Sequence, residues 1–356
     1  MIGERIKQAR KASGLSLRAL AEKVGVSAMA ISKYENNQST PSSGVLLALA
    51  KALGVRTEYF FRHVSVELVN INHREHHLLP EKEEQKVIAD VKEQLERWLE
   101  LEEVVPAPWS IPFSLPDDMP GSIKSYDEIE NIAVKMRRHW NLGMNPIPDL
   151  IDTIETKGIK VLITQYDGHK NFNGLSAEVN NAPVVVVGKS WVGDRQRFTL
   201  AHELGHLVLH GRLNDSLNEE QACHRFAGAF LVPEESVKNC LGERRTHLEL
   251  QELFLLKHEW GLSMMAWSFR AKDLGVISEE TYKKLWRQHM RHWKAEGKEP
   301  GEQYEREKTR LFQQLVYRAL AEDMLSEAKA AELLGMSVAD FHVCRKMECP
   351  NDVADQ

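Results

Sequence analysis

The sequence lacks the features that mark secreted and membrane proteins. Its four cysteines (Cys223, Cys240, Cys344 and Cys349) form no CxxC pair, so neither a disulfide framework nor a four-cysteine zinc site is expected. No apolar run approaches the roughly 18 residues that a membrane helix needs, and the N-terminal residues do not have the pattern of a signal peptide. We therefore expect a soluble, cytoplasmic protein with no membrane partner.

Length and charge indicate more than one domain. A chain of 356 residues is too long for one ordinary hydrophobic core. The net charge of −6 is unevenly divided, because residues 1–62 carry ten Lys and Arg against four Glu. The N-terminal sixth is thus basic, and the remainder is strongly acidic. This asymmetry favours a module that faces nucleic acid, joined to an acidic partner domain.

The basic segment has the pattern of a small helical bundle. Capping serines and terminating glycines predict helices over residues 4–12, 17–24, 28–35 and 44–53. The second and third helices are joined by the short turn Gly25-Val26-Ser27. This is the helix-turn-helix arrangement, in which the later helix enters the major groove of DNA.

These residues resemble the Cro/phage-repressor (XRE) helix-turn-helix family. The resemblance rests on Leu20-Ala21, Gly25-Val26-Ser27, Ile31-Ser32, Tyr34-Glu35 and residues 49–55. It implies a homodimer bound to two half-sites of a double-stranded operator. Leu17 and Ala28 stand where the family usually has glutamine, which leaves the operator sequence open. The candidate DNA-binding residues are Ser27, Ala28, Met29, Ser32 and Lys33. The alternative is a helical dimerisation or protein-binding module.

The middle of the chain changes character three times. Residues 81–103 hold nine acids against four bases with apolar residues at helical spacing, which predicts an amphipathic helix that packs on a partner or on its dimer mate. Five prolines within residues 104–122 predict an extended connector. Helices are then expected over 123–140 and 147–157, and short strands over 159–164, 174–178 and 183–187.

His202-Glu203-Leu204-Gly205-His206 is the most informative stretch. Residues four apart share one face of a helix, so His202 and His206 can hold one Zn²⁺, and Glu203 is placed to act as a general base toward water. A catalytic zinc needs a third protein ligand. His210 is excluded on a continuous helix, because it lies about 12 Å along the axis from His202, whereas the ligands of one zinc lie about 3–4 Å apart. A glutamate on the next predicted helix, residues 218–233, can supply the ligand instead.

At this point the chain resembles the ImmA/IrrE family of intracellular zinc metallopeptidases. The resemblance covers roughly residues 125–290 and rests on residues 197–206, on Ala222-Cys223-His224-Arg225-Phe226-Ala227 with Leu231-Val232-Pro233, and on Leu255, Lys257, residues 260–264 and Arg270-Ala271. It implies Glu220 as the third ligand, with Glu219 as the second choice. His224 replaces the usual asparagine, and it either supports Glu220 or competes with it as a ligand.

The resemblance implies a metalloendopeptidase that cleaves a repressor- or antitoxin-like protein. The alternative is a non-proteolytic transcriptional regulator, or the antitoxin of a toxin–antitoxin pair, that uses the zincin fold as a sensor or partner-binding surface. A purely structural zinc site is disfavoured by the open coordination position. A peptide substrate could add to the edge of the predicted sheet. Candidate donors to a reaction oxyanion are Tyr166, His169 and His258.

The C-terminal part is predicted to be helical. Residues 260–274 have the pattern of a packed helix, residues 297–302 of a linker, and residues 310–321, 326–334 and 337–345 of a helix-turn-helix-like tail with a packing, dimerisation or DNA-binding role. The fold class is therefore multidomain: an all-α bundle, an α+β zincin-like domain with a small sheet, and a helical tail. The segments are predicted at 1–65 (DNA binding), 66–122 (acidic helix and proline-rich linker), 123–295 (peptidase) and 303–350 (tail).

Overall fold

The computed structural model describes residues 2–61, 66, 68–69, 80–105, 111–165 and 172–348. Three hydrophobic cores lie in these residues, one in the N-terminal bundle and one on each side of a small sheet. No helix among them is long and apolar enough to cross a bilayer. Cys223 and Cys240 carry free thiols, and Cys344 is disulfide-bonded. The fold class is as predicted, while the boundaries of the four segments stay predictions.

The N-terminal bundle consists of α1 (Ile2–Ala12), α2 (Leu17–Val24), α3 (Ala28–Glu35), α4 (Ser43–Leu53) and a 3₁₀ turn (Thr57–Phe61). Ser16, Ser27 and Ser42 cap α2, α3 and α4 by accepting backbone N–H bonds. Gly25 ends α2 at φ 77°, a left-handed conformation that glycine adopts without strain. The predicted helix-turn-helix is therefore present, with its helix boundaries correct to within two residues.

The acidic helix, α5 (Glu81–Val104), packs inside the chain. Val87, Val91, Leu95 and Trp98 are buried in the core that α5 forms with one face of the sheet and with the C-terminal helices. The prediction that α5 packs on a separate partner was wrong, because sequence periodicity shows that a face is apolar but not what covers it. The helix also includes Val104, which was assigned to the connector. Residues 106–110 of the connector lie outside the described residues, and residues 111–122 form neither helix nor strand.

The sheet has three strands in the order β1-β3-β2, with β1 (Lys160–Thr164) parallel and β2 (Gly174–Val179) antiparallel to β3 (Ala182–Gly188). Asn180 and Asn181 join β2 to β3 with φ of 48° and 63°, as a two-residue hairpin turn of type I′ requires. Helices α6 (Tyr126–His139) and α7 (Leu150–Thr156) precede the sheet. Both faces of the sheet are buried, which explains its continuous run of β-branched residues.

The remaining helices complete the two larger cores. α8 (Gly193–Leu209), α9 (Glu219–Leu231), α10 (Glu234–Leu241), α11 (Leu250–Trp260), α12 (Met264–Asp273), α13 (Glu279–Leu285) and α14 (Arg291–Glu296) follow the sheet, with a π-helical turn at Trp286–Met290. The packed helix predicted over 260–274 is α12, which begins four residues later than predicted because Gly261 ends α11 at φ 65° and Ser263 caps α12. The tail forms α15 (Leu311–Ala321), α16 (Glu327–Leu333) and α17 (Val338–Arg345).

The tail packs within the chain. Leu315, Val316, Ala330 and Phe341 are buried in the same core as α5. Nη1 of Arg56, from the N-terminal bundle, donates to the carbonyl of Met336 in the turn between α16 and α17. Of the roles predicted for the tail, the structure shows packing.

Candidate metal centre

Close packing of α8 on α9 brings the histidine motif next to the downstream acids. A Cβ atom at Gly205 would lie 3.3 Å from Cα of Cys223 and 3.2 Å from Cδ1 of Phe226. A larger side chain at position 205 would therefore hold the two helices apart. The glycine of the motif lets the first turn of α9 lie beside His202 and His206.

His202, His206 and Glu220 meet at one point. Nε2 of His202 lies 3.2 Å from Nε2 of His206 and 3.3 Å from Oε2 of Glu220. Nε2 of His206 lies 3.7 Å from Oε1 of Glu220. Zinc bonds of about 2 Å in tetrahedral geometry separate neighbouring ligand atoms by about 3–4 Å. The three side chains can therefore hold one metal ion.

The chemistry of these groups also suits a cation. Oε1 of Glu220 is buried and accepts no hydrogen bond from the described part of the chain. The hydrogen bond with His202 holds the pKa of Glu220 below its ordinary range. Burial, and next the charge of His202, lowers the pKa of His206, which favours its neutral, metal-binding form. An orphaned carboxylate oxygen beside two imidazoles is the donor set that Zn²⁺ takes.

Glu219 contacts the ring nitrogen of His206 that faces away from His202 and Glu220. Its Oε1 lies 3.3 Å from Nδ1 of that ring. A proton on Nδ1 donated to this carboxylate leaves the Nε2 lone pair directed at His202 and Glu220. The geometry thus gives Glu219 a supporting position and Glu220 the ligand position, and the ligand assignment itself stays a prediction.

His224 lies at the rim of the cluster and is not one of its three members. Its Nδ1 donates to the backbone carbonyl of Glu220, 2.7 Å away. Its exposed ring lies 4.5 Å, centroid to centroid, from that of His202 and stacks on Phe198. Desolvation of its imidazole, followed by the charge of His202, lowers the pKa of His224. His224 therefore anchors the backbone of Glu220, the first of the two roles expected for it.

Glu203 is buried beside the metal ligands, with 2% of its surface exposed. A Cβ atom at Gly174 would lie 3.2 Å from Cγ of Glu203 and 2.7 Å from Cγ2 of Thr199. Gly174 is the first residue of β2, so this edge strand begins next to the proposed base. Sequence reasoning did not identify Gly174, although an isolated glycine at a strand end signals close approach.

The other predicted participants lie elsewhere or are not described. Tyr166 and His169 fall outside the described residues. Nε2 of His258 lies 3.2 Å from the carbonyl of Glu302, in the segment that follows α14, and its ring packs on Phe254 of its own helix. His210 follows the last residue of α8 and is exposed, in keeping with its exclusion as a ligand.

Three of the basic residues on which the family resemblance rests are buried in ion pairs. Arg197 pairs with Glu307, Lys257 with Asp194 and Glu299, and Arg270 with Glu130. Glu307 also accepts the backbone N–H groups of Leu150 and Ile151, and Glu299 those of Met264 and Met265. These carboxylates brace the helices around the metal centre. Sequence reasoning missed them because they lie as far as 140 residues from their partners.

The third helix of the N-terminal bundle exposes part of the predicted DNA surface. Met29 is 69% exposed, and Lys33 is also exposed. Ser32 and Ala28 are half-buried, and Ser27 accepts the N–H of Ala30 as the helix cap. Met29 and Lys33 are therefore the two α3 side chains best placed to contact DNA. The DNA-binding role of all five residues stays a prediction.

Comparisons with known proteins agree with the two modules. A helix-turn-helix family model matches residues 6–60, and a model described as the IrrE N-terminal-like domain matches residues 154–272. No solved structure matches the chain at a comparable level of significance.

Similar curated proteins include a transcriptional regulator in the ATPase CF(0) region of Rhodospirillum rubrum, 42% identical over 17% of this chain and 56% of the relative. Repressor protein C2 of Salmonella phage P22 is 40% identical over 17% of this chain and 29% of its own length. A prophage-derived HTH-type transcriptional regulator of Bacillus subtilis is 32% identical over 20% of this chain and 68% of the relative. The chain thus spans about half of the first of these relatives and less than a third of the second.

Proposed function

Because the chain belongs to the helix-turn-helix transcriptional regulators and contains an IrrE N-terminal-like domain, we propose that it is a DNA-binding regulator with zinc-dependent endopeptidase activity. Its substrate would be a peptide bond in a repressor- or antitoxin-like protein. The observation that carries this proposal is the convergence of His202, His206 and Glu220 beside the buried carboxylate of Glu203.

His202, His206 and Glu220 would hold the ion, and Glu219 would orient His206. When bound, Zn²⁺ supplies Lewis-acid chemistry and lowers the pKa of water toward about 7. Glu203 would accept a proton from the attacking water on a carboxylate oxygen. It would then donate that proton to the amine nitrogen as the peptide C–N bond breaks.

The outer edge of β2 is the proposed binding surface for the substrate. The chain itself supports this idea, because Val69 and Glu178 exchange backbone hydrogen bonds of 3.1 and 3.0 Å as an antiparallel pair. The edge therefore accepts an extended segment, and it leads to Gly174 beside Glu203. An extended peptide that paired there would approach the metal centre by strand addition.

The N-terminal bundle would bind a double-stranded operator as part of a homodimer, with α3 in the major groove and Ser27, Ala28, Met29, Ser32 and Lys33 facing DNA. Action on an operator would place the protein in the cytoplasm. The net positive charge of residues 1–62 supports attraction to phosphate.

A second candidate function is regulation without proteolysis, as a transcriptional regulator or the antitoxin of a toxin–antitoxin pair. The similarity to the curated repressor and regulators favours it, because each covers only 17–20% of this chain and those proteins are named for transcription. In that case the zincin fold would be a sensor or partner-binding surface. A sensor does not need the general base Glu203, which is why we place the peptidase first.

One variant separates the two functions. We would purify the full chain and a Glu203→Gln variant, measure bound zinc, and incubate each with the product of the neighbouring gene. We expect about one zinc per chain in both proteins, and cleavage only by the unaltered chain. Glu249→Gln, on an exposed side chain, is the matched control.

Cleavage by Glu203→Gln at the unaltered rate would exclude the proposed base. If the unaltered chain holds no zinc and still represses its promoter, the non-proteolytic function is correct.

A further inference from the structure

A second site lies away from the metal centre. A cavity of about 140 Å³ opens between α5, the connector, the first residues of β1 and β3, and the start of α15. Trp98 and Ile159 give it apolar walls, and Glu155 and Lys160 give it charged ones. All four of these lining residues are buried, so packing holds the walls of the cavity in place.

Glu155 carries the chemistry of this cavity. Its side chain is 3% exposed, and it accepts the backbone N–H of Leu311, the first residue of α15. Its Oε1 is buried and receives no hydrogen bond from any described residue. The carboxyl group therefore uses one oxygen to accept the N–H at the start of α15, and its other oxygen has no hydrogen-bond donor among the described residues. Burial, reinforced by Asp152 and Asp149, raises the pKa of Glu155 to about 8.

Glu155 is the acidic group of the cavity that has no cationic partner among the described residues. Nζ of Lys160 lies 2.7 Å from Oε1 of Glu102, so the two opposite charges of that pair compensate each other. Glu155 has no such cation, and Asp149 and Asp152 add negative potential nearby. A ligand with a cationic N–H donor would satisfy Oε1 of Glu155, whereas an anion would be repelled.

We propose that this cavity binds a small organic monocation, a primary ammonium with a short alkyl chain. The ammonium would donate to Oε1 of Glu155, and the alkyl chain would lie against Trp98 and Ile159. The size fits, because a cavity of roughly 150 Å³ holds a molecule of about six heavy atoms such as benzene.

The location separates this site from the metal centre and connects it to the DNA-binding module. Ala182, which lines the cavity, begins β3, whereas Val187 near the other end of that strand pairs with Gly174 beside Glu203. At about 3.3 Å per residue these strand positions are roughly 17 Å apart. The wall helix α5 also carries Glu96, whose Oε1 lies 2.5 Å from Nη1 of Arg5 in α1. A ligand in the cavity would thus contact the helix that holds the N-terminal bundle.

Calorimetry with n-butylammonium chloride tests the proposal on the full chain. Titrations at pH 7 in phosphate and in HEPES, which differ in ionisation enthalpy and contain no primary ammonium, should show saturable binding with proton release, because a bound cation favours ionised Glu155. Glu155→Gln keeps the size of the side chain and an acceptor for Leu311. It should weaken binding about tenfold or more, the effect of losing one charged hydrogen bond.

Three controls make each result decisive. The neutral 1-butanol should not bind, and Ala182→Leu should block the cavity while leaving Glu155 in place. Glu203→Gln should bind n-butylammonium as tightly as the unaltered chain, so the result does not depend on peptidase activity. Equal binding of 1-butanol, undiminished binding by folded Glu155→Gln, or no binding by the unaltered chain would each overturn the proposal.

Discussion

Oε1 of Glu219 lies 3.3 Å from Nδ1 of His206, while the adjacent Glu220 reaches Nε2 of both histidines. Two neighbouring acids at the start of one helix therefore occupy different positions around the same centre. Helix α9 turns its first residues toward α8, and Asn218 caps it by accepting the N–H of Gln221. This division predicts unequal effects of removing each carboxylate.

Glu220→Ala should abolish tight zinc binding, because it removes a ligand. Glu219→Ala should weaken zinc affinity by about 10–100-fold, the usual effect of losing a partner that orients a ligating histidine. Zinc competition with a chromophoric chelator measures both. Glu249→Ala, on an exposed side chain, serves as the control. A larger loss for Glu219→Ala than for Glu220→Ala would reverse the assignment.

The sequence predicted the local parts of this structure well. The caps Ser16 and Ser27, the terminator Gly25 and the histidine spacing on α8 are all encoded within a few residues. These features depend on backbone hydrogen bonds and helix periodicity, which a single sequence displays directly.

Contacts between residues that are far apart in the sequence could not be predicted from the sequence in the same way. The apolar face of α5 gave no sign that the sheet and the C-terminal helices cover it. Glu130 was an ordinary polar residue of α6 in the sequence, and only the fold brings it to Arg270 and Arg225. A buried ion pair of this kind joins residues that are distant in sequence, so the spacing of residues along the chain does not reveal which two will pair.

Glu130→Ala should strongly destabilise the helices around the metal centre. Glu130 is buried beside Arg270 and Arg225. Its removal leaves the buried guanidinium of Arg270 without its anion, whereas Arg225 keeps its pair with Asp273. Breaking such a pair costs about 3–5 kcal/mol of unfolding free energy. Urea denaturation followed by circular dichroism measures it. Glu234→Ala, which removes a partly exposed pair with Lys238, should leave the midpoint nearly unchanged. Equal midpoints for the two variants would show that the buried network contributes nothing.

Stability should fall as the pH rises through neutrality because of Glu155. Its pKa is raised to about 8 in the folded protein, whereas an unfolded glutamate has a pKa of about 4.3. Between these values the folded chain holds a proton that the unfolded chain has lost, so the free energy of unfolding decreases by up to about 1.4 kcal/mol per pH unit. The contribution is fully present below about pH 4.3 and is lost as the pH approaches 8.

Glu155→Gln isolates this effect from the other groups that face the carboxyl, namely Glu102, Lys160, Asp149 and Asp152. Chemical denaturation at pH 5.5, 6.5 and 7.5 should show a shallower decline for the variant than for the unaltered chain. Parallel pH profiles would mean that Glu155 is ionised in the folded protein.

Lys33→Ala should weaken operator binding in a salt-dependent way. Lys33 is exposed on α3, where its ammonium can reach a phosphate. Loss of one phosphate contact lowers the slope of log K against log salt concentration by about 0.9. Fluorescence anisotropy between 50 and 200 mM salt, with the promoter fragment of its own gene as the probe, measures that slope. Lys51→Ala removes an equal charge from an exposed position on α4, outside the predicted recognition helix, and should leave the slope unchanged. If both variants change the slope equally, the bundle attracts DNA by its net charge alone and α3 is not the helix that enters the groove.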